Sequence, residues 1–295
     1  MPSLKEVKTR IASVNSTRKI TSAMKMVASS KLHHAQQVID NMRPYEERLF
    51  GIMSSFIQNL NENFEAPYTV HREVKRVAIV LYTSNSSLCG GFNANVIKAF
   101  KHKVEKFKSQ GIVVSHVYPF GKKAAEAARK MGFDVTFDYC SILDHPSYEP
   151  ASKVAAEIMA LYQAKEIDQA DLIYHHFKSA GSQILTDETF LPLDLNQIND
   201  KHPNVSATTP MQADIIVEPS IEDVLKDLVP TSLYLKLYTV LLDSLASEHA
   251  ARMIAMQIAT DNADELLQEL TLTYNKTRQQ AITAELLDIV GGSLQ

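Results

Sequence analysis

The chain has 295 residues, enough for one or two domains, and its nine glycines are too few for a loop-rich all-β protein. Its formal net charge of −4 gives no general attraction to nucleic acid or to a membrane surface. The charge is uneven, because residues 1–36 contain seven Lys or Arg and a single acid, Glu6. This basic N-terminal arm is therefore a local feature of an otherwise acidic protein.

Neither the cysteines nor the apolar runs indicate secretion or membrane insertion. Cys89 and Cys140 lack the spacing of metal ligands, so we expect reduced thiols in a reducing compartment. The N-terminus has neither the apolar region of a secretory signal nor the composition of a long transit peptide. No apolar run reaches the roughly 20 residues that a bilayer span needs. The sequence thus predicts a soluble or peripheral protein.

A heptad pattern extends over the first 60 residues and predicts a long helix that winds around a partner helix. Thirteen of its seventeen positions are apolar or Ala. The series is Leu4, Val7, Ile11, Val14, Arg18, Thr21, Lys25, Ala28, Leu32, Ala35, Ile39, Met42, Glu46, Leu49, Met53, Phe56 and Leu60. Three consecutive polar positions, from Arg18 to Lys25, indicate that the partner there is not purely apolar. Pro44 predicts a kink, because it removes a backbone donor and clashes with the preceding turn.

Between residues 75 and 190, short β-branched runs alternate with helical patterns. The predicted strands are 76–82, 112–118, 134–139, 171–177 and 182–191, and the predicted helices are 93–109, 122–131 and 151–166. This alternation is typical of a mostly parallel sheet covered by helices. The turn KSAGS joins the last two strands and predicts an antiparallel hairpin. Residues 192–219 predict a loop with one short strand, DIIVE.

Helical character returns from Pro230 to about Val290. Its apolar stripe comprises Leu233, Leu237, Leu241, Leu245, Met253, Met256, Ala259, Ala263, Leu266 and Leu270. About 60 helical residues span roughly 90 Å, too long to bury such a stripe against one small domain. We therefore expect an α/β fold in which the N- and C-terminal helices form a long antiparallel coiled coil with an inserted Rossmann-like α/β domain. The predicted segments are 1–65, 75–220 and 230–290.

The loop TSNSSLCGGFNAN, residues 83–95, follows the first predicted strand, where a doubly wound fold holds phosphates. It matches neither GxGxxG nor GxxxxGK[ST] and contains no lysine. Two interpretations stay open, a nucleotide-binding loop and a tight strand-to-helix turn, and the missing motif favours the turn.

The histidines give no metal-ligand pattern. His33 and His34 are about 100° apart on a helix and cannot share a metal ion. His175 and His176 would alternate faces on a strand. Nothing in the local sequence marks a nucleophile, and we predict no catalytic, cofactor-binding or metal-binding residue.

Both ends of the chain suggest partner contacts. The basic arm fits an acidic protein surface better than nucleic acid, because no aromatics accompany its charges, and a solvated helix face is the alternative. The tail AITAELLDIVGGSLQ carries Ile289, Val290 and Leu294 and has no charged side chain after Asp288. Such an end suggests insertion into an apolar socket, with self-association or disorder as alternatives.

Three motifs resemble the gamma subunit of the F-type ATP synthase, the central rotor stalk. They are IASVNSTRKITSAMKMVASSKL with MRPYEE near the N-terminus, LCGGFNAN at 88–95, and IATDNADELLQELTLTYNKTRQQAITAELLDIVGG at 258–292. The family's C-terminal signature is matched by Ile282, Thr283, Glu285, Asp288 and Gly292. Ser293 replaces the alanine of that signature, and Asn85-Ser86-Ser87 stands where relatives often carry Asp-Arg-Gly.

The resemblance implies the rotor shaft of a proton-translocating ATP synthase, inside a ring of three alpha and three beta subunits. It places the α/β domain at the foot, beside the epsilon subunit and the membrane ring of c subunits. It implies a non-catalytic subunit without a cofactor and without nucleic acid. The expected location is peripheral, on the cytoplasmic face of a bacterial inner membrane.

The resemblance also implies which residues meet the partners. The implied contacts with the acidic lever loop of beta are Met24, Lys25, Met26 and Val27, and those with a second beta loop are Arg278, Gln279 and Thr283. The implied apolar bearing consists of Ile289, Val290 and Leu294. Exposed ion pairs, each worth under about 1 kcal/mol, would let an acidic partner slide past.

Two other functions compete with this one. The first is a soluble α/β enzyme with helical extensions, and the missing catalytic and phosphate motifs argue against it. The second is a coiled-coil adaptor with an α/β domain and no motor role, and the C-terminal signature argues against it.

Overall fold

The computed structural model describes residues 3–58, 68–135, 139–193, 217–218 and 220–293. Its elements are α1 (Leu4–Gln58), β1 (Arg76–Tyr82), α2 (Phe92–Ser109), β2 (Val113–Phe120), α3 (Lys122–Lys130), α4 (Cys140–Asp144), α5 (Tyr148–Gln163), β3 (Gln169–Ser179), β4 (Ser182–Leu191) and α6 (Ile221–Ser293). The chain forms two compact units. We call Met1–Ser30 with Arg252–Gln295 the coiled-coil unit and Lys31–Ala251 the α/β unit.

The α/β unit is built on a sheet with the strand order β2-β1-β3-β4. Strand β1 is parallel to both β2 and β3, with Val80 opposite Tyr118 on one side and Leu172 on the other. Strands β3 and β4 form an antiparallel pair in which Tyr174 lies opposite Thr186. The predictions of a mostly parallel sheet and of a terminal hairpin are confirmed.

The two faces of the sheet follow from the alternation of side chains along β1. Val77, Ile79 and Leu81 are fully buried against helices α2 and α3. The intervening Val80 and Tyr82 are buried in a second core on the other face. A strand buried on both faces reads as a continuous apolar run, which explains the sequence RVAIVLY.

The second core contains parts of both long helices. From α1 it includes Leu49, Met53 and Phe56, and from α6 it includes the stretch between Leu225 and Leu245. The expectation that the α/β domain could not bury the helix stripes was therefore wrong for these parts of the helices. The division into segments 1–65, 75–220 and 230–290 follows chain order and stays a prediction.

Helix α6 begins at Ile221, nine residues before the predicted start at Pro230. The Ser220 hydroxyl accepts a hydrogen bond from the backbone N–H of Asp223, at 3.1 Å, and so caps the first turn. Glu222 and Asp223 place negative charge in that turn, where the helix dipole favours it. Ser220, Glu222 and Asp223 therefore favour the start of the helix at Ile221. Pro230 lies inside the helix.

The predicted strand 134–139 was wrong for the residues that the structure describes. Asp134 and Val135 lie outside any strand, Tyr139 lies in a turn before α4, and 136–138 are outside the described residues. The Tyr139 ring stacks on Phe120 at a centroid distance of 5.3 Å. Packing at the end of β2 thus takes the place of strand pairing. Of the predicted strand DIIVE, the described Val217 and Glu218 are not in a strand either.

The hairpin is joined to α6 by a charged contact. His176 Nδ1 lies 2.6 Å from Asp243 Oδ2, and the backbone N–H of Phe177 donates to Asp243 Oδ1 at 2.8 Å. The hydrogen bond to Asp243 raises the pKa of His176 above its usual 6.5, while partial burial and Lys236 oppose the rise. Protonated His176 therefore stabilises the fold.

We expect this contact to make stability depend on pH. Because the pKa of His176 is raised on folding, its contribution is complete below 6.5 and is lost as pH rises through the folded value. The loss is at most about 1 kcal/mol, since the ring is half exposed. Urea unfolding from about pH 6 to about pH 8 should show it as a difference between wild type and His176→Gln. The exposed His102→Gln is the control, and a flat difference for His176→Gln would contradict the expectation.

Candidate functional site

The coiled-coil unit pairs the start of α1 with the C-terminal part of α6. Thr21 Oγ1 lies 2.8 Å from Thr260 Oγ1, and Arg18 Nη1 lies 2.9 Å from Asp264 Oδ1. Arg18 precedes Thr21 in α1, whereas its partner Asp264 follows Thr260 in α6. The two helices are therefore antiparallel, as predicted. Every described member of the heptad series is buried or half-buried.

The heptad positions of α1 that face α6 form the seam of the coiled coil. Two of its polar positions, Arg18 and Thr21, have partners within the chain. Thr21 is buried and its hydroxyl also bonds the carbonyl of Arg18, whereas the Arg18–Asp264 pair is nearly half exposed. Such an exposed pair stabilises by less than about 1 kcal/mol. A polar layer in an apolar seam fixes the register of the two helices, because any shift leaves its polar groups unpaired.

The segment Met24–Val27 lies next to this layer. Met24 and Lys25 are half-buried beside the seam, whereas Met26 and Val27 are 64% and 57% exposed. At 100° per residue, Met26 and Val27 lie about 140° and 120° from Thr21 in opposite directions. Two large apolar side chains therefore face away from α6, on a surface available to a partner.

Helix α6 extends past the start of α1. Since both helices advance equally per residue, Leu4 lies opposite roughly residue 278. In agreement with this register, residues 278–290 are all exposed. The exposed end carries the predicted Arg278, Gln279 and Thr283, which span a sector of about 140°. The Thr283 hydroxyl donates to the Gln279 carbonyl at 2.9 Å and keeps its oxygen free to accept.

An apolar stripe lines the same helix end. The predicted bearing residues Ile289 and Val290 are exposed, and Leu294 lies outside the described residues. The structure adds Ile282, Leu286 and Leu287, which are also exposed. Their spacing of four and five residues from Ile282 is visible in the sequence, so the apolar surface extends further back along the helix than the predicted last turn.

The loop after β1 is held by hydrogen bonds within the chain. The Ser84 backbone N–H donates to Asn93 Oδ1 at 2.9 Å, and Asn93 Nδ2 donates to Ser84 Oγ at 2.8 Å. Asn85 Nδ2 donates to the Cys140 carbonyl at 2.9 Å, and Asn85 Oδ1 accepts from the backbone N–H of Lys122. These contacts favour the tight-turn interpretation. They also give Asn85, in the loop that departs from the family pattern, a structural role between α3 and α4.

The histidine pair of β3 alternates as predicted. His175 is buried, its ring stacks on Phe92 at 4.6 Å, and burial lowers its pKa to about 4. His176 points to the other side, toward Asp243. Within the described ranges, no group of His, Cys, Asp and Glu is arranged to hold a metal ion. None of the helices in the described part of the chain has an apolar stretch long enough to cross a bilayer.

Comparison with known proteins identifies the family. The family model described as ATP synthase matches residues 3–294. The ATP synthase gamma chains of Phocaeicola vulgatus and Bacteroides thetaiotaomicron are both 54% identical to this chain, over the full length of each protein. A chain of the Euglena gracilis mitochondrial ATP synthase (OSCP/F1/c-ring, rotational state 3) shares the fold, with a TM-score of 0.61 and 19% identity over 99% of this chain and 93% of that one.

A second solved structure has the same fold, a chain of the Tetrahymena thermophila mitochondrial ATP synthase central stalk and c-ring. Its TM-score is 0.55, with 24% identity over 81% of this chain and 99% of that one. The likeness in fold agrees with the two long helices and the mixed sheet described above. Together with the identity to the bacterial proteins over their whole length, it leads to one conclusion: this chain belongs to the family of ATP synthase gamma chains.

Proposed function

We propose that the chain is the central rotor shaft of a proton-translocating ATP synthase and couples rotation of the membrane ring to conformational change at the catalytic beta subunits. The observation that carries this proposal is the exposed end of α6. Residues 278–290 continue as a helix past the start of α1 and present both polar and apolar side chains. A monomer gains nothing from such a surface, whereas a shaft inside a ring needs it.

The proposed action is a set of contacts that differ around the shaft. Met26 and Val27 face outward from α1, and Arg278, Gln279 and Thr283 occupy one sector of α6. An asymmetric surface favours a different conformation in each beta subunit, and rotation exchanges these preferences. An exposed charge such as Arg278 suits this role, because screened ion pairs are weak enough to break at each step.

The proposed subunit does no chemistry of its own. Phosphoryl transfer would take place at alpha–beta interfaces, and the loop after β1 would serve as a structural turn. The proposed partners are the alpha, beta and epsilon subunits and the c-subunit ring. The proposed location is peripheral, on the cytoplasmic face of the bacterial inner membrane.

A tagged full-length chain tests the proposal. Co-expressed with the other soluble subunits, it should bring down a hexamer with ATPase activity, while the chain alone should neither hydrolyse ATP nor bind it at micromolar concentration. A chain that purifies without a hexamer would support the adaptor alternative. Micromolar ATP binding by the isolated chain would support the enzyme alternative.

Replacing Arg278, Gln279 and Thr283 together with Ala should impair coupling. Each lost hydrogen bond or charge contact weakens the complex by about 1 kcal/mol, so we expect ATP-driven proton pumping to fall by at least about tenfold. The helix itself should persist, because alanine has the highest helix propensity. The measurement is proton pumping and ATP synthesis by the purified complex in vesicles.

The chain offers a closely matched control for this variant. The control set also consists of a threonine, a cation and a glutamine that are exposed on α6, namely Thr273, Lys276 and Gln280. Around the helix axis, the centre of this set lies about 110° from the centre of the set formed by Arg278, Gln279 and Thr283. Thr273 even makes the same bond, donating to the carbonyl four residues earlier at 2.9 Å. The control triple variant should pump at the wild-type rate. Equal losses in both triple variants would mean that α6 contributes here without specific contacts.

A further inference from the structure

A strongly basic surface covers helices α2 and α3 of the α/β unit. Its cations are Lys98, Lys101, Lys106, Lys108, Lys122, Arg129 and Lys130, and we call them the basic face. All seven are exposed, and none has an ion pair within the described residues. The acids on these helices are Glu105 and Glu126, and Glu126 is already paired with Lys123 at 3.1 Å. The chain as a whole carries −4, so this face has the opposite sign.

The geometry of α2 separates its core side from its charged side. Val96, Phe100 and Phe107 are buried against the sheet. At 100° per residue, Lys98 and Lys101 lie about 160° and 100° away from Phe100, so they point outward. Lys103 is the exception, because it turns inward to the buried Asp171.

The basic face is not explained by the needs of the two helices alone. Lysines in the last turn of α2 and cations in the last turn of α3 interact favourably with the helix dipoles. Lys122 does not, because it begins α3, where the dipole disfavours a cation. Lys98 and Lys101 lie three residues apart on one helix face and repel each other. The basic face has seven cations beside two acids, Glu105 and the already paired Glu126, whereas a face that only needed solvation would mix the two signs more evenly.

The composition of the basic face indicates the class of partner. None of the described large apolar side chains of α2 or α3 is exposed. Specific protein interfaces are anchored by aromatic residues and Arg and are depleted in Lys, and single-stranded nucleic acid needs aromatic stacking. A layer of anionic lipid headgroups needs only clustered positive charge. We propose that the basic face binds an anionic lipid surface, a contact that the proposed shaft function does not require.

Vesicle binding by the full-length chain tests this proposal. The probe is a phosphatidylcholine vesicle with about one third phosphatidylglycerol, compared with pure phosphatidylcholine. Wild type should bind only the anionic vesicle, and added salt should weaken the binding by screening. Each lysine near such a surface strengthens binding about fivefold, so changing Lys98, Lys101, Lys106 and Lys108 to Gln should weaken it by about 600-fold.

The control removes the same charge from α1, by changing Lys5, Lys8, Lys19 and Lys31 to Gln. These lysines are also exposed, and both variants have the same net charge, so only the position of the charge differs. We expect the α1 variant to bind within about threefold of wild type, since its basic face is intact. Loss of binding in the α1 variant alone would assign lipid contact to the N-terminal arm and overturn the proposal. Tighter binding of wild type to a single-stranded oligonucleotide or to polyglutamate than to the vesicle would overturn it as well.

Discussion

Replacing Asp171 with Asn is expected to lower the free energy of unfolding by about 3 kcal/mol. The Asp171 side chain is completely buried in β3, and its Oδ2 lies 2.8 Å from Nζ of Lys103, which is only 13% exposed. Its other oxygen accepts from Gln169 Nε2 at 2.7 Å. Without the carboxylate, the lysine charge stays enclosed without its buried counter-ion, and that desolvation is expensive. Urea unfolding at constant pH measures the loss.

Asp187 provides the matched control, because its carboxylate is paired with the same Lys103 amine from strand β4. The Asp187 side chain is 48% exposed, so water screens the pair and replaces the lost contact. Asp187→Asn should therefore cost less than about 1 kcal/mol. If the two variants lost equal stability, burial would not be the source of the effect at Asp171.

Gly121→Ala is expected to destabilise the α/β unit by about 3 kcal/mol or more. Gly121 joins β2 to α3 with a φ of +105°, in a region that side chains with a Cβ rarely adopt. A Cβ there would lie 2.7 Å from the Thr83 hydroxyl oxygen and closer still to the Thr83 carbonyl oxygen. Backbone cannot move aside without disturbing the end of β1, because Thr83 N–H donates to the Phe120 carbonyl at 2.8 Å. Thermal or urea unfolding measures the effect.

Gly132→Ala separates the two causes of this loss. Gly132 also has a positive φ, +87°, but a Cβ built there has no atom within 4 Å. Only the backbone strain remains at this site, so we expect a loss of about 1–2 kcal/mol. A loss at Gly121 no larger than the loss at Gly132 would show that the close approach to Thr83 relaxes at little cost.

Local periodicity in the amino-acid sequence is enough to predict several parts of this fold. The heptad series of α1 predicts its buried face, and the apolar run of β1 predicts a strand enclosed on both sides. In a strand, every second side chain lies on the same face, and in a helix, side chains three and four residues apart do. The spacing of apolar residues in the sequence therefore predicts which face is buried. The C-terminal motif around Thr283 likewise indicates the family from the order of its residues alone.

Tertiary packing determined three features that local sequence patterns do not specify: the conformation at Tyr139, the surface against which α6 packs, and the partner of Arg18. The alternation in 134–139 fits a strand, but the Tyr139 ring stacks on Phe120 and the residue lies in a turn. The apolar stripe of α6 could face a helix or a sheet, and up to Leu245 it is buried with the sheet. The partner of Arg18 is 246 residues away along the chain, at Asp264. No local pattern specifies such a pair, because it depends on the register of two helices that are far apart in the sequence.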